Sequence, residues 1–352
     1  MHEEGIPIFA SRTARWLVGG LVAVAVMTGV SVGVAHWHLS AFERLDYDPQ
    51  GARDHLQVQQ PDRVESPYDS FGLSDEIEHD GLMAGLVLGS DAHNGDESAR
   101  ADAIMLVVVP PDERAPVIAS IPRDLWVDNP CTGTKTRINE GLEGCGDDVP
   151  GPELMTIMVE DLAGIEIDHY AEVDFDGFIR IVDAFGGVEI CTEHPVRDWR
   201  AELDLPGGCI EASGDEALAW ARSRHTQELV DGTWRVQPGV NALARDERQQ
   251  ELALEVADQV ASFDSISRLR SVASGLQDSV TLDSQLSLSR AVSLAWQHRG
   301  LDTGEVERIT IPVTDYTTSG GAAVVRAQAS LKELLAEALD KDTSDLAGDG
   351  GD

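Results

Sequence analysis

Two continuous apolar runs constrain the fold of this chain more than any other feature of its sequence. Residues 103–109 are apolar throughout, residues 117–121 nearly so, and the turn-forming stretch Pro-Pro-Asp-Glu-Arg separates them. Short unbroken apolar runs are typical of central strands that are covered on both faces. The chain therefore needs helices on both sides of a sheet.

Helical and strand patterns alternate around these runs. Pro152 can open a helix that Gly164 closes, since proline suits a first turn and glycine an end. The other predicted helices are residues 175–185, 214–225, 245–263, 286–296 and 324–339, and the other predicted strands are 86–88, 169–173, 188–190 and 308–313. This alternation predicts an α/β fold, a three-layer αβα-type sandwich around a mixed β-sheet.

The N-terminal region has the pattern of a membrane anchor. Residues 16–37 carry no charge, and as a helix they would span ~33 Å, enough for a bilayer core. Arg12 and Arg15 precede them, which predicts a cytoplasmic segment at 1–15 and an extracellular remainder at the cell membrane. Cleavage at Gly33-Val34-Ala35 is the alternative, in which the run is a signal peptide.

Composition divides the rest of the chain. Residues 38–80 are polar and acidic with three prolines, which predicts an extracellular stalk. Residues 81–340 are expected to form the folded domain, and residues 341–352, rich in Gly and Asp, a disordered acidic tail. The formal net charge of −37 excludes nucleic acid as a partner, because phosphate backbones repel such a surface.

The four cysteines lie beyond the apolar N-terminal segment. They come as Cys131 with Cys145 and as Cys191 with Cys209, without the Cys-x-x-Cys spacing of zinc or redox sites. Two local disulfides in an oxidising compartment are the preferred interpretation, and four free buried thiols the alternative.

Basic side chains gather at one helix end of this acidic chain. Arg222, Arg224 and His225 follow a stretch whose first turn holds Asp215 and Glu216. Two neighbouring guanidiniums match the oxygens of a phosphate, but basic residues also complement a helix C-terminus. The sequence of this stretch alone favours neither phosphate binding nor a purely structural role at the helix C-terminus.

Further polar clusters fall at the ends of predicted strands. Asp91 and Asp102 follow and precede adjacent strands and can seat a hard divalent cation, although either can be a turn residue or a cap. Arg100 and the Arg123-Asp124 pair can bind an anion or form salt bridges. Residues 245–250 form a further polar cluster, for which the alternative is the solvated first turns of a helix.

Several of these residues occur in motifs that stand in a recognisable order. The motifs are Leu88-Gly89-Ser90-Asp91, Arg100-Ala101-Asp102, Ser120-Ile121-Pro122-Arg123-Asp124, Val173-Asp174-Phe175 with Val182-Asp183-Ala184-Phe185-Gly186-Gly187, Ala221-Arg222-Ser223-Arg224-His225 and Arg248-Gln249-Gln250. In this order they resemble the LytR-CpsA-Psr family from about residue 82 to 262. The cysteine pairs and residues 134–139 are similar to the actinobacterial branch.

The resemblance implies a membrane-anchored phosphotransferase. It would move a glycopolymer from a polyprenyl diphosphate carrier onto peptidoglycan as a phosphodiester, with Mg²⁺ or Mn²⁺, and an apolar cavity would take the lipid. Asp91 and Asp102 would hold the metal. Arg123, Asp102 and Asp124 would be catalytic, with Asp124 or Asp102 as the proton acceptor. The diphosphate would contact Arg100, Arg123, Arg137, Arg222 and Arg224, with Gln249 or Gln250 completing that contact.

One departure from the family pattern concerns His93. Relatives often carry arginine at this place, so a phosphate contact here is weakened or made dependent on pH. The alternative function is a non-catalytic receptor for lipid-linked phosphate that regulates envelope assembly. A structural adhesion module is the third hypothesis, and it leaves the arginines unexplained.

Overall fold

The computed structural model describes residues 43–59, 81–91, 100–111, 114–238, 242–261, 280–284 and 306–346. The strands are β1 Glu43–Leu45, β2 Met83–Ser90, β3 Ala101–Val109, β4 Val117–Ser120, β5 Trp126–Asn129, β6 Thr134–Arg137, β7 His169–Asp174, β8 Val188–Thr192, β9 Val196–Asp198, β10 Leu203–Leu205, β11 Gly208–Ala212, β12 Gln227–Val230, β13 Thr233–Val236, β14 Val280–Asp283, β15 Glu307–Thr310, β16 Val313–Thr317 and β17 Ala323–Ala327. The helices are α1 Pro49–Gln59, α2 Gly151–Ala163, α3 Phe175–Phe185, α4 Gly214–Arg222, α5 Ala242–Ala261 and α6 Leu331–Leu346, and a 3₁₀ helix spans Ile138–Glu143.

Seven strands form the central sheet, in the order β1-β14-β7-β2-β3-β4-β15. The sheet is mixed, because β2 pairs antiparallel with β3 and parallel with β7. Alternate residues of β3 point to opposite faces: Ile104, Leu106 and Val108 join one core, and Val107 and Val109 another. Burial on both faces confirms the prediction from the continuous apolar runs.

Helices cover both faces of this sheet. The larger core packs α1, α2 and α6 against the even-numbered positions of β2 and β3. A second core joins α3, α4 and α5 with β7 and β14. The predicted α/β sandwich around a mixed sheet is thus confirmed in the described residues. The helices α2 and α3 end where the sequence predicted, because Gly164 (φ 67°) and Gly186 (φ 95°) take the left-handed conformation that favours glycine.

Smaller sheets flank the central one. A four-stranded sheet has the order β10-β9-β12-β13, and β8 and β11 form a separate hairpin. Both predicted disulfides are present, Cys131–Cys145 and Cys191–Cys209. The second joins residues that lie directly opposite each other on β8 and β11, so it closes a loop that contains β9 and β10.

The prediction of a stalk over residues 38–80 is wrong for residues 43–59. These form β1 and α1, and Tyr47 and Leu56 are buried. The Tyr47 hydroxyl lies 2.9 Å from the Thr156 hydroxyl, and its ring stacks on Tyr170 with the centroids 5.6 Å apart. Long-range contacts of this kind leave no periodic signal in a polar segment.

The C-terminal elements also differ from the prediction. The predicted strand 308–313 is divided into β15 and β16, and Pro312, which has no N–H to donate to a ladder, lies between them. The predicted helix 324–339 begins later, because residues 323–327 pair with β16 as β17. The helix α6 then runs to Leu346, so the predicted disordered tail is helical over its first six residues.

The predicted membrane anchor at 16–37 and the segment 1–15 lie outside the described residues. So do residues 38–42 and 60–80 of the predicted stalk, the predicted helix 286–296 and residues 347–352 of the tail. None of the helices that the structure describes is both long and apolar enough to cross a membrane.

Candidate active site

The helix α4 delivers the first arginines of the site. Ser213 and Glu216 form a capping box at its N-terminus, which fixes where the helix begins. The helix ends at Arg222 because Ser223 adopts an extended backbone (φ −64°, ψ 129°). Arg222 therefore leaves from the last turn and Arg224 from the extended segment after it. Both side chains line one pocket, as the anion-binding reading requires.

Asp198, at the end of β9, holds the segment after α4 in place. Its Oδ2 accepts hydrogen bonds from the Ser223 hydroxyl (2.8 Å), the Arg224 N–H (3.1 Å) and the His225 N–H (2.9 Å). Burial by itself would raise the pKa of this carboxyl, but these donors and the Arg200 N–H outweigh burial and lower the pKa. A buried carboxylate thus fixes the backbone that carries Arg224.

Arginines from separate elements converge on a polar pocket of about 240 Å³. Arg123 follows β4, Arg200 lies in the β9–β10 turn, Arg222 and Arg224 come from the end of α4, and Arg245 lies on α5. Their positive charges repel one another. Burial, and then the charge of Arg224, lowers the pKa of Arg123, while burial, and then Arg245, lowers the pKa of Arg224.

Carboxylates offset only part of this positive charge. Asp102 forms an ion pair with Arg123, and Asp246 lies 3.1 Å from the Arg245 guanidinium. Asp124 lies 3.5 Å from Arg123 Nε and 3.4 Å from Arg137 Nε. Five arginines but only two carboxylates, Asp102 and Asp198, line the pocket. A pocket with this imbalance attracts an anion with several oxygens.

An apolar cavity of about 140 Å³ adjoins the polar pocket. It lies between β2, β3 and β7 on one side and α3, α4 and α5 on the other. Its apolar lining includes Val87, Leu88, Met105, Val173, Phe175, Phe178, Ile181, Leu218, Leu252 and Val256. Asp102, Arg222 and Gln249 line both cavities, and the Arg222 guanidinium lies 4.6 Å from the centre of the Phe175 ring. The two spaces therefore meet at these residues.

Some predicted diphosphate contacts lie away from the pocket. Arg100 is half-exposed and pairs with Glu143 at 3.3 Å. Arg137 pairs with Glu140 and donates to the Ala323 carbonyl. Neither arginine lines the polar pocket. In this structure both arginines lie outside the polar pocket.

The two neighbouring glutamines have different places. Gln249 lines both cavities, whereas Gln250 is 1% exposed and donates to the Ile309 carbonyl on β15. Of the alternatives Gln249 and Gln250, the geometry favours Gln249.

The predicted metal ligands lie near the ends of two paired strands. Asp91 is exposed, and its Oδ1 accepts the Arg100 N–H at 2.8 Å. Asp102 lines both cavities. This donor set fits Mg²⁺, which commonly uses one or two carboxylates together with substrate phosphates. Among the described residues, the potential ligands Glu189, Cys191 and Cys209 lie close together, but they are no metal centre, because both cysteines are in a disulfide. His93 lies outside the described residues.

Three charged residues of the pocket were not among the predicted site residues: Asp198, Arg200 and Arg245. Arg245 lies in a polar cluster for which solvated helix turns were the alternative, but it is 4% exposed. A signal for it existed, because Arg245 and Gln249 are four residues apart and share a helix face. For Asp198 no local signal marks its place in the pocket, since three of its four hydrogen-bond donors lie 25 to 27 residues further along the chain.

The fold and site together define an α/β protein that has an arginine-lined anion pocket continuous with an apolar cavity. The LytR_cpsA_psr family model matches residues 48–340, and the chain belongs to that family.

Individual relatives agree with this assignment. The cell wall biosynthesis protein LcpA of Corynebacterium glutamicum is 30% identical over 317 residues, which cover 76% of this chain and 58% of LcpA. This chain therefore spans little more than half the length of LcpA. The polyisoprenyl-teichoic acid–peptidoglycan teichoic acid transferase TagU of Halalkalibacterium halodurans is 26% identical over 267 residues, 76% of this chain and 80% of TagU. A solved LytR-Csp2A-Psr enzyme from Actinomyces oris superposes with a TM-score of 0.58 at 27% identity, covering 72% of this chain and 89% of that structure.

Proposed function

We propose that this chain is a glycopolymer–peptidoglycan phosphotransferase. It takes a glycopolymer from a polyprenyl diphosphate carrier and links it to peptidoglycan through a phosphodiester. Support comes from the family, which includes a relative named for transfer of teichoic acid from a polyisoprenyl carrier to peptidoglycan.

The observation that carries the proposal is the junction of the two cavities. A lipid diphosphate is apolar at one end and anionic at the other. The apolar cavity and the arginine pocket offer both environments side by side, joined at Asp102, Arg222 and Gln249. A pocket for free phosphate would need no apolar extension.

The arginines act by placing charge around the reacting phosphorus. An acceptor hydroxyl oxygen forms a bond to the sugar-linked phosphorus, the bond from this phosphorus to the bridging oxygen breaks, and polyprenyl phosphate leaves with the electron pair. Arg123, Arg222 and Arg224 stabilise the negative charge of the phosphoryl oxygens and of the leaving phosphate. Little other chemistry is demanded of the protein in such a transfer.

The hydroxyl proton needs an acceptor. Of the two carboxylates predicted for this role, Asp102 lines the pocket and Asp124 does not. We assign the proton to a carboxylate oxygen of Asp102. Asp91 and Asp102 would also hold Mg²⁺, which when bound adds positive charge beside the diphosphate.

A reconstituted transfer assay tests the proposal. The full-length chain in detergent receives a polyprenyl diphosphate-linked saccharide, a peptidoglycan fragment and Mg²⁺, and both product and released polyprenyl phosphate are measured. Arg222→Ala or Asp102→Ala is expected to abolish transfer while circular dichroism and thermal unfolding stay unchanged. Arg180→Ala, on the exposed face of α3 and outside both cavities, is the matched control.

Two results would contradict this function. Transfer at the normal rate by both variants would show that the arginine pocket takes no part in the reaction. Binding of the lipid diphosphate by the unmodified chain, without release of polyprenyl phosphate at any divalent metal concentration, would favour the non-catalytic receptor.

The proposed function places the domain outside the cell, tethered by residues 16–37. Sequencing the N-terminus of the protein isolated from membranes tests this anchor. A mature chain that begins after Ala35 would show a cleaved signal peptide instead.

A further inference from the structure

The turn between β9 and β10 presents an unusual side chain to solvent. Trp199, at the start of this turn, is 78% exposed, which makes it one of the most exposed large hydrophobic side chains in the described part of the chain. Tryptophan offers a large, flat apolar face, and such residues are enriched where proteins bind ligands. The exposed indole has no role in the core.

The backbone around this indole is held firmly. Asp198 accepts the Arg200 N–H through Oδ1 at 3.0 Å, and its own carbonyl accepts the Ala201 N–H at 3.1 Å. The same carboxylate binds the segment after α4 through Oδ2. Asp198 therefore fastens the turn of Trp199 to the segment that carries Arg224.

Side chains continue this connection at the surface. The Arg200 guanidinium lies 5.1 Å from the centre of the Trp199 ring, and its Nη1 lies 2.6 Å from His225 Nε2. An aromatic face that is already oriented loses little conformational entropy when a ligand stacks on it. Trp199, Arg200 and His225 form what is called here the hairpin platform.

Two side chains of the platform line the polar pocket. Arg200 and His225 line the polar pocket but not the apolar cavity, whereas Asp102, Arg222 and Gln249 line both. Arg200 and His225 thus belong to the part of the polar pocket that does not adjoin the apolar cavity. In phosphoryl transfer the attacking and leaving oxygens stand roughly in line on opposite sides of the phosphorus. If polyprenyl phosphate leaves towards the apolar cavity, the attacking hydroxyl must enter from a side away from that cavity, and the platform offers such a side.

We propose that the hairpin platform is the subsite for the acceptor, a sugar of the peptidoglycan glycan chain. One face of a pyranose ring carries C–H groups that pack against an indole, while its edges carry hydroxyls. Trp199 stacks on the ring, and Arg200 and His225 hydrogen-bond to its polar edge. The attacking hydroxyl is thereby directed towards the arginines. This inference rests on the proposed function and adds to it the place where the acceptor binds.

A kinetic separation of the two substrates tests the platform. Full-length protein is assayed with a lipid diphosphate-linked saccharide at varied concentration, and then with a soluble peptidoglycan oligosaccharide at varied concentration. Trp199→Ala is expected to raise the KM for the oligosaccharide about tenfold, the loss expected for one aromatic stacking contact. The KM for the lipid donor and kcat should stay within about twofold, because the leaving group is bound elsewhere.

Matched variants keep this result specific. Trp199→Phe retains an aromatic face and should recover most of the acceptor affinity. Val58→Ala removes a side chain of similar exposure (84%) from α1 and should change neither KM. Because Trp199 is so exposed, its truncation should leave the thermal midpoint unchanged.

The possible outcomes separate this inference from the proposed function. A higher KM for the lipid donor alone would assign the platform to the donor's saccharide and overturn the acceptor assignment. Unchanged kinetics in Trp199→Ala, with normal transfer by the unmodified chain, would overturn the acceptor assignment and leave the function intact. Absence of transfer by the unmodified chain would overturn both.

Discussion

A buried arginine on α1 and the arginines of the polar pocket have opposite electrostatic surroundings. Arg53, on α1, is 3% exposed and lies 2.8 Å from Glu160 and 2.9 Å from Asp161. Burial opposes its charge, but Asp161 and Glu160 more than compensate and raise the pKa of Arg53. In the polar pocket, burial, and then the charges of neighbouring arginines, lower the pKa of Arg123 and of Arg224.

This difference in surrounding charge distinguishes Arg53, which stabilises the fold, from the pocket arginines, which are available to bind an anion. Arg53 has its counter-charges within the protein and fastens α1 to α2. The pocket arginines stay short of negative charge, which a diphosphate would supply. Charge balance, more than burial or residue type, distinguishes the two roles.

The largest effect is expected from the pocket. Arg123→Ala and Arg224→Ala should each lower kcat/KM for transfer by about 10³-fold, since a single arginine at a transferring phosphoryl group commonly contributes this much. The unfolding free energy of Arg224→Ala should change by less than about 0.5 kcal/mol, because a repelled charge is removed. Transfer kinetics and urea unfolding measure the two effects. A large loss of stability without loss of transfer would show that the pocket arginines stabilise the fold and do not act in the reaction.

Removing Arg53 should have the opposite profile. Arg53→Met leaves Glu160 buried without its cation and should lower the unfolding free energy by about 3–5 kcal/mol. Burial already raises the pKa of Glu160 and Arg53 opposes this, so the loss should shrink as the pH falls and Glu160 becomes protonated. Urea unfolding at two pH values measures it.

A double variant provides the control for Arg53. Adding Glu160→Gln keeps the oxygen that accepts the Ile167 N–H and removes the unpaired charge. The double variant should recover most of the stability. Equal instability of the single and double variants would show that the buried charge is not the cause.

Asp198 has both a structural role and a role at the site, since it stabilises the fold at the edge of the pocket. Asp198→Asn weakens its charged hydrogen bonds and should lower the unfolding free energy by about 2 kcal/mol at neutral pH. The native environment lowers the pKa of Asp198, so this stability is full above its unfolded pKa and is lost as the pH falls through its folded pKa. The difference between the two proteins should therefore be constant above about pH 5 and shrink below about pH 4.

Denaturant unfolding across this pH range measures the effect of Asp198. Ser223→Ala, which removes one of the four hydrogen-bond donors, should cost about 1 kcal/mol. A difference between native protein and Asp198→Asn that grows on acidification would contradict the assignment.

The smallest effect is a ligand-induced stabilisation. Inorganic pyrophosphate at ten times its dissociation constant should stabilise the protein by about 1.4 kcal/mol and raise the thermal midpoint by about 2–4 °C. Arg224→Ala should lose this rise, Arg180→Ala should keep it, and added salt should weaken it. Differential scanning calorimetry measures it. An equal rise in native protein and Arg224→Ala would place the bound anion outside the pocket.

Local signals predicted much of the fold. The predicted helix 175–185 has the observed bounds of α3, where Asp174 caps the helix by accepting the Gly177 N–H at 2.6 Å and Gly186 follows its end. The central strands were predicted because burial on both faces leaves an unbroken apolar run. By contrast, α1 depends on contacts with α2, about a hundred residues further along the chain. β17 pairs with the neighbouring β16, and its Val325 N–H donates to the distant Asp124 carbonyl. A polar or mixed segment carries no sequence pattern for such contacts.

The site divides in the same way. Arg222, Arg224 and Asp102 were predicted from short motifs, and the structure brings them together. Arg200 and Asp198 lie in a hairpin whose relation to α4 arises only on folding. Gln250 could not be separated from Gln249 until the face of α5 that meets β15 was known.

The Cys191–Cys209 bridge has a consequence for how this protein can diversify. Both ends of the closed segment are fixed on directly opposed positions of β8 and β11, and the segment between them carries β9, β10 and the hairpin platform. Because the disulfide closes the loop covalently, the length and sequence of the loop can change while β8 and β11 stay in register. If the hairpin platform binds the acceptor as proposed, acceptor preference can evolve within residues 192–208 without disturbing the arginines that α4 and α5 supply, provided that a carboxylate remains at position 198.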